Sequence, residues 1–335
     1  MRALFCVLFL TACSSSPSTE GAHDLGGNMI DSAMPHSADL SSLSTDLAMS
    51  SGNPYATQGT VPYTKTTATA SVSGHDVTIT IYLPSSTGTH PAVFLSPGFV
   101  QPAAGYLPYA DRLASFGIIT LLRDDPGFST DSTTAGAELA TLVGTWLPAE
   151  NAKASGPLAA KVDLTKVGLM GHSRGGQASL LAATGTLKGK VVAFFGLDPV
   201  DTSAGGNTAR DALPNVGIPT VFMGETLDGD AGGFGMACAP SADNYQVLYA
   251  AAPSPSMLLT VVGAAHFDFE VQAQAFGASF CKDGPAYAAQ VLDMAVTIST
   301  GFFARELLGA PVGAGLDGAG VATYVQAGAL ARSQK

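Results

Sequence analysis

With 335 residues, 46% of them hydrophobic and 12% charged, the chain can bury one large core, and its 39 glycines suit a fold with many tight strand-to-helix turns. One main domain with an appendage is the expectation. The formal net charge of −11, with no Lys/Arg cluster anywhere, argues against a nucleic-acid partner, which needs a basic stripe facing the phosphates.

Met1-Arg2 is followed by an apolar run over 3–10 and then by Thr11-Ala12-Cys13. The run is too short for a permanent membrane-crossing helix and has the layout of an export signal. Leu10-Thr11-Ala12-Cys13 resembles the processing site of bacterial lipoproteins, where cleavage before the Cys leaves it lipidated. That resemblance implies lipidation at Cys13 and an exported protein held in the bacterial cell envelope, with the membrane as a partner reached through the N-terminal lipid; an ordinary signal peptide is the alternative. Two or more acyl chains give stable anchoring where one is marginal. Residues 14–58 are rich in Ser, Thr, Ala, Gly and Asp without a sustained period, which reads as a disordered tether reaching on the order of 35–40 Å. Of the four cysteines, Cys6 leaves with the signal and Cys13 carries lipid. Cys238 and Cys281 then remain to pair in an oxidising compartment, a disulfide worth roughly 4 kcal/mol; two buried free thiols are the alternative.

Regular patterning begins near residue 60, so a domain over 59–310 is expected, with a C-terminal tail over 311–335. Residues 66–73 and 77–83 alternate with β-branched residues and predict an antiparallel pair. The runs then turn uniformly apolar at 92–95, 118–122, 167–170, 191–195, 220–223 and 258–262, as strands buried on both faces of a parallel sheet do. Helix-length stretches lie between or after them, at 106–116, 135–147, 177–184, 242–251 and 286–308. This alternation predicts an α/β fold with a mostly parallel, doubly wound sheet flanked by helices, and chemistry at the carboxyl ends of the strands. Trp146, the sole tryptophan, falls on an amphipathic stretch and reads as core.

Gly171-His172-Ser173-Arg174-Gly175 fits G-x-S-x-G and stands between the strand at 167–170 and the helix opened by Gly176-Gln177. Its glycines permit the sharp turn that lifts a serine hydroxyl out of a sheet, the layout of the α/β-hydrolase fold, so Ser173 is the candidate nucleophile. A hydroxyl attacks only when a base takes its proton, and that base is expected after the last strand. His266 occupies that place. Of the other five histidines, His23 and His36 lie in the tether, His75 and His90 precede the third strand, and His172 neighbours the nucleophile and reads as structural. The acid that orients the imidazole is either Asp198 or, one strand later, Asp228; both follow strands whose tips can adjoin the His266 loop. Oxyanion-hole amides are expected from Arg174, after the nucleophile, and from Phe99 in Ser96-Pro97-Gly98-Phe99, after the third strand.

Gly171 to Gly176, then Gly196-Leu197-Asp198-Pro199-Val200-Asp201, then Cys238-Ala239-Pro240 with Asn244 and Tyr249, and finally the Gly/Ala-rich stretch into His266 and Asp268 together resemble chlorophyllase-type α/β-hydrolases over about 90–308. The resemblance implies that the acid is the Asp of Asp-Pro-Val, Asp198. Leu95 to Phe99 with Arg112 to Gly117 is similar to cutinase-like polyester hydrolases, which implies Asp228 instead. The chain departs from the second group by Arg174, where Met is usual. It departs from plant chlorophyllases by its N-terminal lipid signal and by Ser96, where His is usual.

Neither H-E-x-x-H nor paired C-x-x-C occurs, so no metal is expected, and the Gly-rich run from Gly232 to Gly235 lacks the strand-helix frame that a dinucleotide needs. The expectation is a serine esterase that cleaves a small or polymeric carboxylic ester through an acyl-enzyme, without a cofactor. The alternative is a surface-displayed binding protein on a hydrolase scaffold that has lost activity. The complete Ser/His/acid set favours the enzyme.

Overall fold

The computed structural model describes residues 53–202, 208–227, 229, 237–271, 281–282, 288–311 and 319–335. The chain opens with a hairpin, β1 (Tyr63–Val72) and β2 (His75–Pro84), paired antiparallel from Tyr63 opposite Pro84 to Val72 opposite His75. Ser73 and Gly74 turn it with φ of 51° and 82°, the left-handed pair that a two-residue hairpin loop requires.

Strands and helices then alternate: β3 (His90–Ser96), α1 (Leu107–Ser115), β4 (Ile119–Leu122), α2 (Ser132–Thr141), α3 (Leu147–Asn151) and β5 (Val162–His172). They continue as α4 (Ser173–Thr184), β6 (Ala193–Leu197), α5 (Ala209–Ala212), β7 (Thr220–Glu225), α6 (Tyr245–Ala251), β8 (Ser256–Val261), α7 (Ala288–Leu308), α8 (Ala319–Gln326) and β9 (Leu330–Gln334). Among the described residues these strands form one 9-stranded sheet in the order β1-β2-β4-β3-β5-β6-β7-β8-β9. From β3 to β8 the pairing is parallel, with the antiparallel strands β1, β2 and β9 at its margins.

Period-two side-chain direction divides the sheet's apolar residues between two cores. Val93, Leu95, Met170 and Phe195 join Tyr109 of α1 and Phe302 and Phe303 of α7 on one face. Ala92, Phe94, Leu169 and Phe194 meet Leu139 of α2 and Leu180 of α4 on the other. Each fully buried Val, Leu, Met or Phe among them contributes about 1.5–3 kcal/mol. Trp146 is half-buried against the second core, as its amphipathic setting predicts.

The elements differ from the sequence expectation in several places, among them the unexpected α5 and the early start of β5 at Val162. The helix expected at 135–147 starts earlier, at Ser132, because Asp131 caps it by accepting the Thr134 amide at 2.6 Å, and a π turn (Leu142–Trp146) joins it to α3. The helix expected at 177–184 begins at Ser173 itself. The segment expected to be a tail, 311–335, carries α8 and β9. β9 pairs antiparallel with β8, and Lys335 Nζ donates to the carbonyls of Tyr249, Ala250 and Ala252 at the end of α6. Finally, the last residues of the expected tether dock: Asn53 and Tyr55 are buried, the Tyr55 ring lies 4.9 Å from Phe116, and Arg112 Nη1 donates to the Tyr55 carbonyl. The signal segment with Cys13, the tether up to residue 52 and the Gly232 to Gly235 run lie outside the described residues.

The chain leaves β3 for β4 on one side and pairs β3 with β5 on the other, so the strand order reverses between β3 and β5. A crevice at the carboxyl ends follows from that reversal, and the loops after β3 and β5 line it.

Candidate active site

Ser173 follows the last residue of β5 and is the first residue of α4, with φ of 49°. A left-handed backbone costs a non-glycine residue about 1–3 kcal/mol and persists when its surroundings over-determine it. Here a strand and a helix fix the turn from both sides, and the flanking glycines make it possible. A Cβ at Gly171 would meet the Gly175 backbone, and one at Gly175 would meet the carbonyls of Ser96 and Pro97.

His266 opens a 3₁₀ turn (His266–Phe269) beyond β8. Its Nε2 lies 2.9 Å from Ser173 Oγ, and its Nδ1 lies 2.6 Å from Asp198 Oδ2. Asp198 is fully buried just past β6. Since His172 pairs with Leu197, Ser173 and Asp198 leave the sheet at the same level on neighbouring strands, and Asp198 is also left-handed, with φ of 37°. A carboxylate accepts, so Nδ1 carries the ring proton and Nε2 presents its lone pair to the serine hydroxyl. The other acid weighed from the sequence, Asp228, lies outside the described residues.

His172 is fully buried beneath His266, with ring centroids 4.6 Å apart. Burial, and then the neighbouring His266, hold its pKa well below the usual histidine value, so it is neutral. Its Nε2 faces the His266 carbonyl at 2.9 Å, and a carbonyl only accepts, so Nε2 bears the hydrogen and Nδ1 accepts from Tyr106 Oη at 2.7 Å. The Tyr106 oxygen in turn accepts the Gly98 amide at 3.1 Å. One hydrogen-bonded chain thus runs from the loop after β3, through the elbow histidine, to the His266 loop. Tyr106 is a member that no sequence motif announces.

Glu270 lies beside this chain, 1% exposed, with its carboxyl next to the Tyr106 hydroxyl. Burial pushes its pKa from the ordinary 4.5 up to about 7, against smaller lowering by the Tyr106 hydroxyl and His266. A folded-state value above the unfolded one stabilises fully below pH 4.5, and that contribution is lost as pH rises through 7. The loss amounts to at most about 3 kcal/mol. Glu270→Gln should therefore melt with the parent at pH 4 and clearly above it at pH 8; the same gap at both values would refute the buried, proton-holding carboxyl.

Phe99 and Arg174, the residues expected to supply the oxyanion amides, both line the cleft that reaches Ser173. In the loop after β3 the amides on either side of Phe99 are engaged, Gly98 with Tyr106 Oη and Val100 with Asp125 Oδ1 at 2.8 Å. Arg174 sits in the first turn of α4, where the helix dipole favours developing negative charge. The Phe99 ring packs edge-on to Phe128 at 5.0 Å, and both are exposed.

Two clefts meet at Ser173. One, of about 280 Å³, is bounded by Phe99, Phe128, His266 and Phe267; the other, of about 690 Å³, continues past Arg174, Thr130 and Asp243. Cys238 and Cys281 form a disulfide, with Cα atoms 5.5 Å apart, in the wall of the first. Asp201, quoted in the sequence only as part of a motif, holds the neighbourhood together: it accepts from the amides of Ala209 and Arg210 and from Gln177 Nε2 of α4.

Sheet order, elbow and crevice define an α/β-hydrolase. Within that class the chain belongs to the chlorophyllase family, whose model matches residues 48–309. It is 26% identical over 224 residues to chlorophyllase-1, chloroplastic, of Citrus sinensis, covering 61% of this chain and 64% of that protein. It is 25% identical over 190 residues to cutinase 1 of Thermobifida cellulosilytica, covering 56% and 64%. With bis(hydroxyethyl) terephthalate hydrolase of Streptomyces coelicolor it shares 28% over 192 residues, covering 56% and 54%. The chain thus spans less than two thirds of the length of these relatives, which are carboxylic ester hydrolases.

Proposed function

We propose that the protein hydrolyses carboxylic esters through an acyl-enzyme, with Ser173 as nucleophile, His266 as base and Asp198 as the acid that orients it. The observation carrying this reading is the unbroken succession Ser173 Oγ, His266 Nε2, His266 Nδ1 and Asp198 Oδ2, at 2.9 and 2.6 Å. His266 takes the serine proton as Oγ adds to the ester carbonyl. The oxyanion is met by the Phe99 and Arg174 amides, and the imidazolium returns the proton to the departing alcohol. Water then repeats the sequence on the acyl-enzyme, releasing the acid and freeing Ser173. The aromatic walls beside Ser173 favour an ester with an apolar part, small or polymeric. A fluorophosphonate should label the protein once, at Ser173, and a chromogenic ester panel of rising acyl length should show turnover. Absence of both would overturn the reading.

We also propose attachment to a bacterial envelope membrane through lipid on Cys13, motivated by Leu10-Thr11-Ala12-Cys13 after the apolar run. In a bacterial host Cys13→Ser should move the protein from the detergent-extracted membrane fraction to the soluble one; an unchanged distribution would mean another attachment.

A further inference from the structure

One buried carboxylate touches both sides of the candidate oxyanion hole. Asp125, in the loop after β4, has a side chain 3% exposed, and its Oδ1 accepts the Val100 amide at 2.8 Å and the Gly127 amide at 2.9 Å. Its Oδ2 accepts Arg174 Nε at 3.2 Å, while Arg174 Nη2 reaches Oδ1. The guanidinium is spent on the same loop, donating to the carbonyls of Thr130 and Gly127, and its carbon lies 4.5 Å from the centre of the Phe99 ring. The backbone closes the frame: Asp125 donates its amide to the Gln101 carbonyl at 3.0 Å, and Asp124 Oδ1 accepts the Ala103 amide at 2.8 Å.

Two features argue that this frame sets geometry. Val100 is β-branched and left-handed, with φ of 60°, a conformation such a residue avoids unless it is held. The bond from its amide to Asp125 is the hold, and the peptide it fixes adjoins Phe99. A buried ion pair is also about neutral for stability against an apolar replacement, because desolvating both charges offsets their attraction. What this pair supplies is a rigid link between the residue after Phe99 and the side chain of Arg174, whose own amide is the second candidate donor.

We propose that Asp125 and Arg174 form a positioning pair that holds the Phe99 and Arg174 amides at the separation an ester oxyanion requires. The proposal rests on the ester-hydrolase reading and on those two amides as its donors. Neither side chain touches the reacting atoms; they act through the backbone they restrain. Losing a whole oxyanion donor costs about 10²–10³ in kcat, so loosening two donors should cost roughly 10- to 100-fold.

The test uses the full folded chain, with Asp125→Ala, Arg174→Gln and the double variant, a short chromogenic ester, and a boronic acid whose adduct with serine is tetrahedral. Arg174→Gln keeps the backbone amide and remains interpretable if Asp125→Ala does not fold. The expected result is a kcat lower by roughly 10- to 100-fold, KM within about threefold, and boronic-acid affinity weakened in proportion to kcat. The double variant should be no worse than the more damaged single, since the pair acts as one unit. Folded variants that keep kcat and boronic-acid affinity within threefold of the parent would overturn the proposal, as would a fall in kcat with that affinity unchanged. Parent protein without ester turnover or fluorophosphonate labelling would instead overturn the ester-hydrolase reading beneath it.

Discussion

Ser173→Ala should lower ester turnover by roughly 10⁶ and abolish fluorophosphonate labelling, while leaving the melting temperature close to that of the parent. The substitution removes one oxygen, the atom 2.9 Å from His266 Nε2. Alanine carries the same Cβ as serine at the left-handed elbow, so it adds no clash. What survives is whatever the oxyanion amides and the two clefts contribute by themselves, which in serine proteases is about 10³–10⁴ over water. Labelling or turnover that persists in the purified variant would refute Ser173 as the nucleophile, and a label found on another serine by peptide mapping would name its replacement.

Asp198→Asn should cost about 10⁴ in turnover, whereas Asp228→Asn should change it little. An asparagine at 198 can turn its amide NH₂ toward His266 Nδ1, which drives the ring proton onto Nε2 and leaves no lone pair for the serine. It also removes the negative charge that stabilises the imidazolium in the transition state. The carboxylate has little freedom to be replaced from elsewhere, because Asp198 is fully buried and leaves β6 one strand from the elbow. Both variants are to be compared after thermal melts show them folded. A dead Asp228→Asn beside an active Asp198→Asn would move the acid one strand on, to the place implied by the resemblance to cutinase-like polyester hydrolases.

The parallel core was legible because strands buried on both faces, such as β3, β4 and β6, are uninterrupted apolar runs in the sequence. β9 was not: four of its five residues face solvent, and its pairing with β8 comes from backbone hydrogen bonds that leave no mark on composition. Ser173 and His266 could be singled out because the elbow motif and the chain order are local features. The residues of the Asp-Pro-Val segment alone could not choose between Asp198 and Asp228, since the choice depends on which strand tip stands against the imidazole. Tyr106, Glu270 and Asp125 were invisible as functional candidates for a related reason. Their chemistry comes from burial against loops distant in sequence, and in the chain Asp124-Asp125-Pro126-Gly127 reads as an ordinary turn.

The order of the strands also bears on how copies of this protein meet one another. Among the described residues β1 and β9 are the terminal strands of the sheet, and a terminal strand can template a strand from another molecule. β1 turns Thr64, Lys65, Thr67 and Thr69 to solvent, and β9 turns Arg332 and Gln334. Edge-to-edge pairing would strip water from those groups and set like charges near each other across the symmetric contacts. In a chain that is 46% hydrophobic, the sheet thus carries exposed polar side chains and the charges of Lys65 and Arg332 at its margins, the kind of device that blunts an edge, while its centre is apolar.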